Sequence, residues 1–387
     1  MHKFNNTEIA FAWRSDSALR KAKFLFKTIS WPLLVNTGSV LLKIALAIRF
    51  PISWIVKPTI FSHFVGGETL HESIPTVNAL AKYGVKSILD YSVEGKGTPK
   101  AQEDAYKEIL NSIQNAASNP NITFSVFKPT GLINVDILEK VSSGDSLSQA
   151  ETEQFNLFKQ RVHNLCSISA NASTPILIDA EDSWYQKALD DVISDMMLEF
   201  NKAQVLVYNT LQMYRVDRFD FLKDAFKDAS ENGFKLGIKF VRGAYMEKER
   251  ERAEILGYPS PIHPTKDDTD KAFNEAQAFA FAHLDIISIF CGTHNEESVL
   301  KLCELMEKAG ISRNDPRVTF SQLLGMSDNI SFMLGHLGYN VAKYIPYGPV
   351  REVMPYLIRR AQENTSVKGQ TGRELSLIKQ EIKRRKS

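Results

Sequence analysis

The chain is expected to be an α/β protein built as a (βα)8 barrel behind an N-terminal helical arm, and three observations carry this expectation. First, eight short apolar runs recur from about residue 84 onward: GVKSILDYS, ITFSVFKP, TPILIDAED, AQVLVYNT, KLGIKFVRG, DIISIFCGTH, RVTFSQLL and NVAKYIPYG. Each is rich in Val, Ile, Leu and Phe, as parallel strands buried on both faces are. Second, longer polar segments with helical spacing lie between the runs, such as EDAYKEILNSIQNAA and ESVLKLCELMEKAG, and end near Gly or Asn. Eight such repeats over roughly 280 residues suit a barrel whose usual size is about 250. Third, no GxGxxG follows the first run, so the rival, a doubly wound open sheet, lacks its main fingerprint.

Composition sets the outer bounds. With 387 residues, 43% hydrophobic and 24% charged, the chain can bury a full core. Lysine plus arginine is 47 against 45 acids, and a net charge of +2 gives no electrostatic case for a nucleic-acid partner. Three scattered cysteines, Cys166, Cys291 and Cys303, form no disulfide framework or zinc site, and the histidines show no HxxxH pair. A reducing compartment and no metal are expected.

The arm, residues 1–66 ahead of a catalytic barrel over 67–387, is set apart by its charge. From Ser17 to Gly67 there is no Asp or Glu, while Arg20, Lys21, Lys23, Lys27, Lys43, Arg49 and Lys57 interleave with Phe24, Phe26, Trp31, Phe50, Trp54, Phe61 and Phe64. The longest uncharged run, Thr28 to Leu42, is too short to span a bilayer, and Pro32, Pro51 and Pro58 interrupt the region. Two readings stand side by side: a helical segment lying on an anionic membrane surface, or an arm packed on its own domain. A transit peptide suits the segment less, since it follows Glu8 and Asp16 and is not rich in serine and arginine.

In such a barrel, chemistry belongs at the C-terminal ends of the strands. Asp90 and Glu94 end the first run, Lys128 the second, Asp179 the third, and Asn209 and Gln212 the fourth. Lys239 and Arg242 belong to the fifth, Thr293, His294 and Asn295 to the sixth, Gln322 to the seventh and Tyr344 to the eighth. Singly each has a plain reading as a cap or loop residue; eight together are harder to set aside. Lys128 alone reads equally as a carboxylate binder, a Schiff-base amine or a snorkelling side chain. His294 reads as a structural hydrogen bonder or a general base. Beyond the eighth run, PYLIRRAQEN carries Arg359 and Arg360 on neighbouring helical directions, with Tyr356 one turn earlier and Glu363 at i+4 and i+3. Such a pair can pinch a carboxylate or form an ordinary intrahelical ion pair.

The blocks KFVRGAYMEKERERAEILGY, CGTHNEES, SQLLGMSDNISFMLGHLGYNVAKYIPYGPV and PYLIRRAQENTS, with IDAEDSWY and VYNTLQMY upstream, resemble those of the proline dehydrogenase family. The resemblance runs in order from about Gly84 to Gly372 and leaves the arm uncovered. It implies a distorted (βα)8 TIM-like barrel that holds FAD at its strand ends and oxidises L-proline to Δ1-pyrroline-5-carboxylate. By the same resemblance, Arg359 and Arg360 grip the substrate carboxylate with Lys128; helical spacing lets Glu363 hold one arginine of the pair in place. Glu94 pairs with an arginine as a gate, Tyr245, Leu323, Tyr344 and Tyr356 wall the pocket, and Asp179 lies deep within it. Asn209, Gln212, Lys239, Arg242, Gly243, Ala244, His294 and Asn295 are implied for FAD. Two positions depart from the pattern: Lys239 is an arginine in many relatives, and Asn209 a glutamine in some.

Electrons are expected to pass to a membrane quinone from an enzyme that is cytoplasmic and peripheral on the inner membrane, mitochondrial in a eukaryote. The short stretch after the arginine helix implies a stand-alone enzyme whose product goes to a separate pyrroline-5-carboxylate dehydrogenase. Two other classes stay open at this point: a barrel aldolase using Lys128 or Lys239 as a Schiff base, and a non-catalytic adaptor at a membrane surface.

Overall fold

The computed structural model describes residues 4–31, 37–38, 42, 48, 50–93, 97–366 and 370–387, without the side chains of 362–366 and 370–371. Glu94 and the side chain of Glu363 therefore lie outside the described residues. Eight strands close a barrel in sequence order. They are β1 Lys86–Tyr91, β2 Ile122–Phe127, β3 Ile176–Ile178, β4 Val207–Gln212, β5 Leu236–Val241, β6 Ile287–Gly292, β7 Val318–Leu323 and β8 Val341–Tyr347. Every apolar run of the sequence holds all or part of a strand, and helices occupy the segments between them. The fold is the expected (βα)8 barrel with a helical arm before it.

The chain divides into two compact units, residues 1–94 with 322–387, and residues 95–321. In the second unit, β2 to β7 pair in parallel, with Thr210 opposite Lys239 and Lys239 opposite Phe290. Phe124, Tyr208 and Phe290 meet edge to face, Phe124 lying 5.1 Å from Phe290 and 5.5 Å from Tyr208. Such geometry suits the ring quadrupoles. Helix ends follow local chemistry. Ser148 and Glu151 make a reciprocal capping box at the start of Gln149–Asn171. Gly233, at φ 66°, closes Arg218–Asn232 in a conformation a side chain would resist.

β4 begins later than its apolar run suggests. Asn201, fully buried, accepts from the N–H groups of Leu206 and Val207 at 2.9 and 2.8 Å and donates to the carbonyls of Val207 and Lys235. One amide thus satisfies four backbone groups just where the ladder starts.

In the first unit β1 and β8 pair in parallel, with Ile88 opposite Tyr344. The arm helix Asp16–Ile29 is amphipathic. Leu19, Ala22, Phe26 and Ile29 join a core with Phe61, Phe64, Met354, Leu357, Leu377 and Ile378. Its opposite side carries exposed Arg20, Lys21, Lys23, Phe24 and Lys27. The arginine helix Met354–Ser366 and the C-terminal helix Gln370–Arg384 belong to the same core.

Candidate active site

Within residues 95–321, the ends of β2, β3 and β5 bring three charges together. Asp179 accepts from Lys128 Nζ at 3.2 Å and from Lys239 Nζ at 2.6 Å. All three side chains are largely removed from solvent, and Lys239 Nζ also lies 5.9 Å from the Phe290 ring centroid. One carboxylate so placed fixes two ammonium groups, one just past β2 and one within β5, through charge-assisted hydrogen bonds.

The rest of the IDAEDSWY stretch builds the walls around this cluster. Glu181 accepts from Thr130 N at 2.9 Å and Thr130 Oγ1 at 2.6 Å, tying the β3 end to the β2 end. Burial pushes its carboxyl up to about 7, against the pull of the Thr130 donors. Asp182 accepts from Tyr185 Oη and Lys248 Nζ. Glu249 caps the helix Ser183–Phe200 through Ser183 N and Oγ, at 2.7 and 2.5 Å. Glu181 lies three residues past an apolar strand and Glu249 within a strongly charged helix, and nothing local in the sequence marks either as a support of the site.

A second cluster joins the ends of β4, β5 and β6. Gln212 donates to Glu181 O at 2.6 Å and accepts from Ala244 N at 3.1 Å. Gly243 has φ 133°, and a Cβ there would sit 2.5 Å from the Tyr214 ring, so only glycine fits. Arg242 donates to Asp270 and Thr293, and Thr293 Oγ1 also accepts from Asn295 N. Asn295 caps the helix Glu296–Lys308 through Ser298 N at 3.0 Å. His294 and Tyr245 are half-buried beside these residues in the chain.

Asn209 stands apart from the strand-end groups. It is fully buried, its amide donates to Asp190 Oδ1 at 3.0 Å in the helix Ser183–Phe200, and its oxygen accepts from Thr210 N. Asp190 in turn takes Arg218 Nη1 at 2.6 Å. The side chain is directed at the helix layer.

The first unit carries the other named residues. Tyr344 is buried in β8, and its carbonyl accepts from Leu324 N at 2.9 Å, next to half-buried Leu323. On the arginine helix, Tyr356 and Arg360 are both 8% exposed, with Arg360 Cζ 5.2 Å from the Tyr356 ring centroid; Arg359 is half-buried.

Comparison with known proteins places these features in context. The family model described as proline dehydrogenase matches residues 73–373. The mitochondrial proline dehydrogenase 1 of Dictyostelium discoideum is 34% identical over 88% of this chain and 67% of its own length. The carbapenem antibiotics biosynthesis protein CarD of Pectobacterium carotovorum subsp. carotovorum is 33% identical over 84% of both chains. The hydroxyproline dehydrogenase of Xenopus laevis is 31% identical over 97% of this chain and 88% of its own. Among solved structures, proline utilization A from Bdellovibrio bacteriovorus superposes over 94% of this chain with a TM-score of 0.72 at 20% identity. That likeness concerns the fold, and the chain spans 36% of that longer protein.

Proposed function

Because the chain belongs to the proline dehydrogenase family, we propose that it oxidises L-proline to Δ1-pyrroline-5-carboxylate with FAD and delivers the electrons to a membrane quinone. The family match over 73–373 is the observation that carries this reading. The residues near the end of β5 fit a phosphate-bearing group, since Lys239 and Arg242 supply cations there. Gln212, Ala244, His294 and Asn295 complete the set that would hold FAD, while Asn209 is turned to the helix layer. What FAD supplies when bound is a two-electron acceptor for the hydride leaving the ring carbon next to nitrogen.

The chain's own residues do the binding and orienting. Arg359, Arg360 and Lys128 grip the proline carboxylate, with Glu363 and Glu94 as their acidic partners, and Asp179 sets the direction of Lys128. Tyr245, Leu323, Tyr344 and Tyr356 exclude water from the ring. Tyr344 favours proline over hydroxyproline by filling the space a ring hydroxyl needs. The aldolase alternative loses ground because both lysines donate hydrogen bonds to Asp179 as ion-paired ammonium groups, whereas an amine nucleophile must present a lone pair.

The quinone is supported by the outer side of the arm. Phe24 is 72% exposed, Trp31 58% and Trp54 68%, among exposed lysines and with no acid between Ser17 and Gly67. Aromatic and basic side chains without acids suit the surface of an anionic bilayer. The test of the whole reading is direct: purified protein should be yellow, and proline without oxygen should bleach it. Protein that stays colourless after incubation with FAD, or yellow protein that proline leaves unbleached, would refute it.

A further inference from the structure

Arg242 is held by several residues of its own unit. Nε donates to Asp270 Oδ1 at 2.6 Å, Nη1 to Thr293 Oγ1 at 2.5 Å and Nη2 to Ser298 Oγ at 3.0 Å. The guanidinium also lies over Phe273, Cζ 4.5 Å from the ring centroid. Ser298 Oγ–H donates to Asn274 Oδ1 at 2.7 Å. The second oxygen of Asp270 takes Lys266 Nζ. A cleft of about 440 Å³ opens here, with Asp270, Asn274 and Asn295 in its walls.

A guanidinium has five N–H donors in a rigid plane. Among the described residues three are committed, one on each nitrogen, which leaves one N–H on each Nη, and two such donors form the fork that suits phosphate oxygens. Asp270 helps set the plane, since it takes the one hydrogen on Nε while Thr293 and Ser298 take one from each Nη. Its placement is electrostatically unfavourable for an anion site, because a carboxylate beside Arg242 cancels charge that a phosphate would otherwise feel. Burial opposes its ionisation, yet Lys266 and Arg242 together hold its carboxyl below the usual range.

We infer that Asp270 is a positioning residue that aims Arg242 at the phosphate of the flavin nucleotide, with Thr293 and Ser298 fixing the two ends of the fork. The inference rests on the reading that FAD binds this chain, and extends it to a residue whose carboxylate repels the ligand it serves.

The test compares flavins with and without phosphate on the full-length protein. Flavin is released by dialysis, and FAD and riboflavin are titrated by fluorescence quenching. Asp270→Ala should weaken FAD by about tenfold or more, as loss of an aimed charged hydrogen bond does. Riboflavin affinity should stay within about twofold, because it offers no phosphate to Arg242. Asp270→Asn keeps an oxygen to accept from Nε and removes the opposing charge, so it should restore FAD affinity to the wild-type value or better. Unchanged FAD affinity in the alanine variant, equal losses for both flavins, or an asparagine variant as weak as alanine would each overturn the positioning role. Wild-type protein that takes up neither flavin overturns the cofactor reading itself, and this inference with it.

Discussion

Arg360 is buried on a helix face shared with Tyr356, while its neighbour Arg359 keeps part of its surface open. In the proposed site the two make different approaches to one carboxylate. Each contributes a charged hydrogen bond worth about 1.5–3 kcal/mol, which corresponds to roughly ten- to hundredfold in affinity. Arg359→Met and Arg360→Met should therefore each raise the proline KM by that factor with flavin content unchanged. Lys128→Met should act in the same direction but more mildly. Loss of flavin at unchanged KM would remove the helix from the substrate site. Tyr344→Ser should narrow the preference for proline over hydroxyproline, read as the ratio of kcat/KM for the two; an unaltered ratio would take the phenol out of this role.

At the scale of single elements, Asn201 shows how a strand start is set from outside the strand. Asn201→Ala strips partners from four backbone groups around Leu206, Val207 and Lys235. It should cost on the order of 3 kcal/mol, measured as a lower urea midpoint at unchanged slope. A shift below a third of that would mean water replaces the amide. The same residue explains the one displaced strand: AQVLVYNT is apolar from Val205, but Leu206 and Val207 give their N–H groups to Asn201. The other seven runs were legible because strands buried on both faces read as unbroken apolar segments. That same property hid where Asn209 points. Alternation shows only that neighbours face opposite ways, and with both faces buried polarity does not mark the inner one. Lys128, Asp179 and Lys239 could be read as strand ends, whereas their mutual contacts, and the roles of Asp270 and Glu181, join segments about 30 to 60 residues apart that no local pattern links.

His63 adds a pH dependence to the short segment Ser62–Phe64. Its ring stands edge-on to Phe64 at 4.7 Å and Phe26 at 5.4 Å, and Nε2–H donates to Gly325 O at 2.9 Å. Burial first, then Arg14, hold the imidazole down to about 3 from 6.5; Asp328 and Lys343 also face it. Between those values the unfolded chain binds a proton the folded one refuses, so stability falls as pH drops through that window. At pH 5 this term is about 2 kcal/mol, at about 1.4 kcal/mol per unit. Glu374, pushed up to about 7 by burial, works the other way between about 4.5 and 7. His63→Phe should therefore lose less of its urea midpoint than wild type between pH 7 and pH 5; parallel losses would exonerate the histidine.

Over the whole molecule, the arm has two faces with separate work. The inner one is core, so cutting the arm away would uncover Leu357 and Leu377. The outer one can be tested without that damage, because Phe24 and Trp54 are exposed, and no helix among the described residues is long and apolar enough to cross a membrane. Phe24→Ser with Trp54→Ser should weaken co-sedimentation with anionic vesicles by about tenfold or more and leave proline oxidation with a soluble dye intact. Equal sedimentation of variant and wild type at low salt would end the membrane proposal. The inner face has a further consequence, in time. Beyond residue 94 the arm's partners lie in 326–385: Trp13 and Arg14 donate to Asp328, Arg385 donates to the carbonyls of Phe11 and Arg14 and to Asp16, and β1 pairs with β8 within its unit. At ordinary rates of synthesis, the ribosome needs roughly 10 to 50 seconds to pass from one part of this unit to the other. Throughout that interval Leu19, Phe26 and Ile29 can pack on Phe61 and Phe64 but not on Leu357, Leu377 or Ile378, so the arm waits with its core half built.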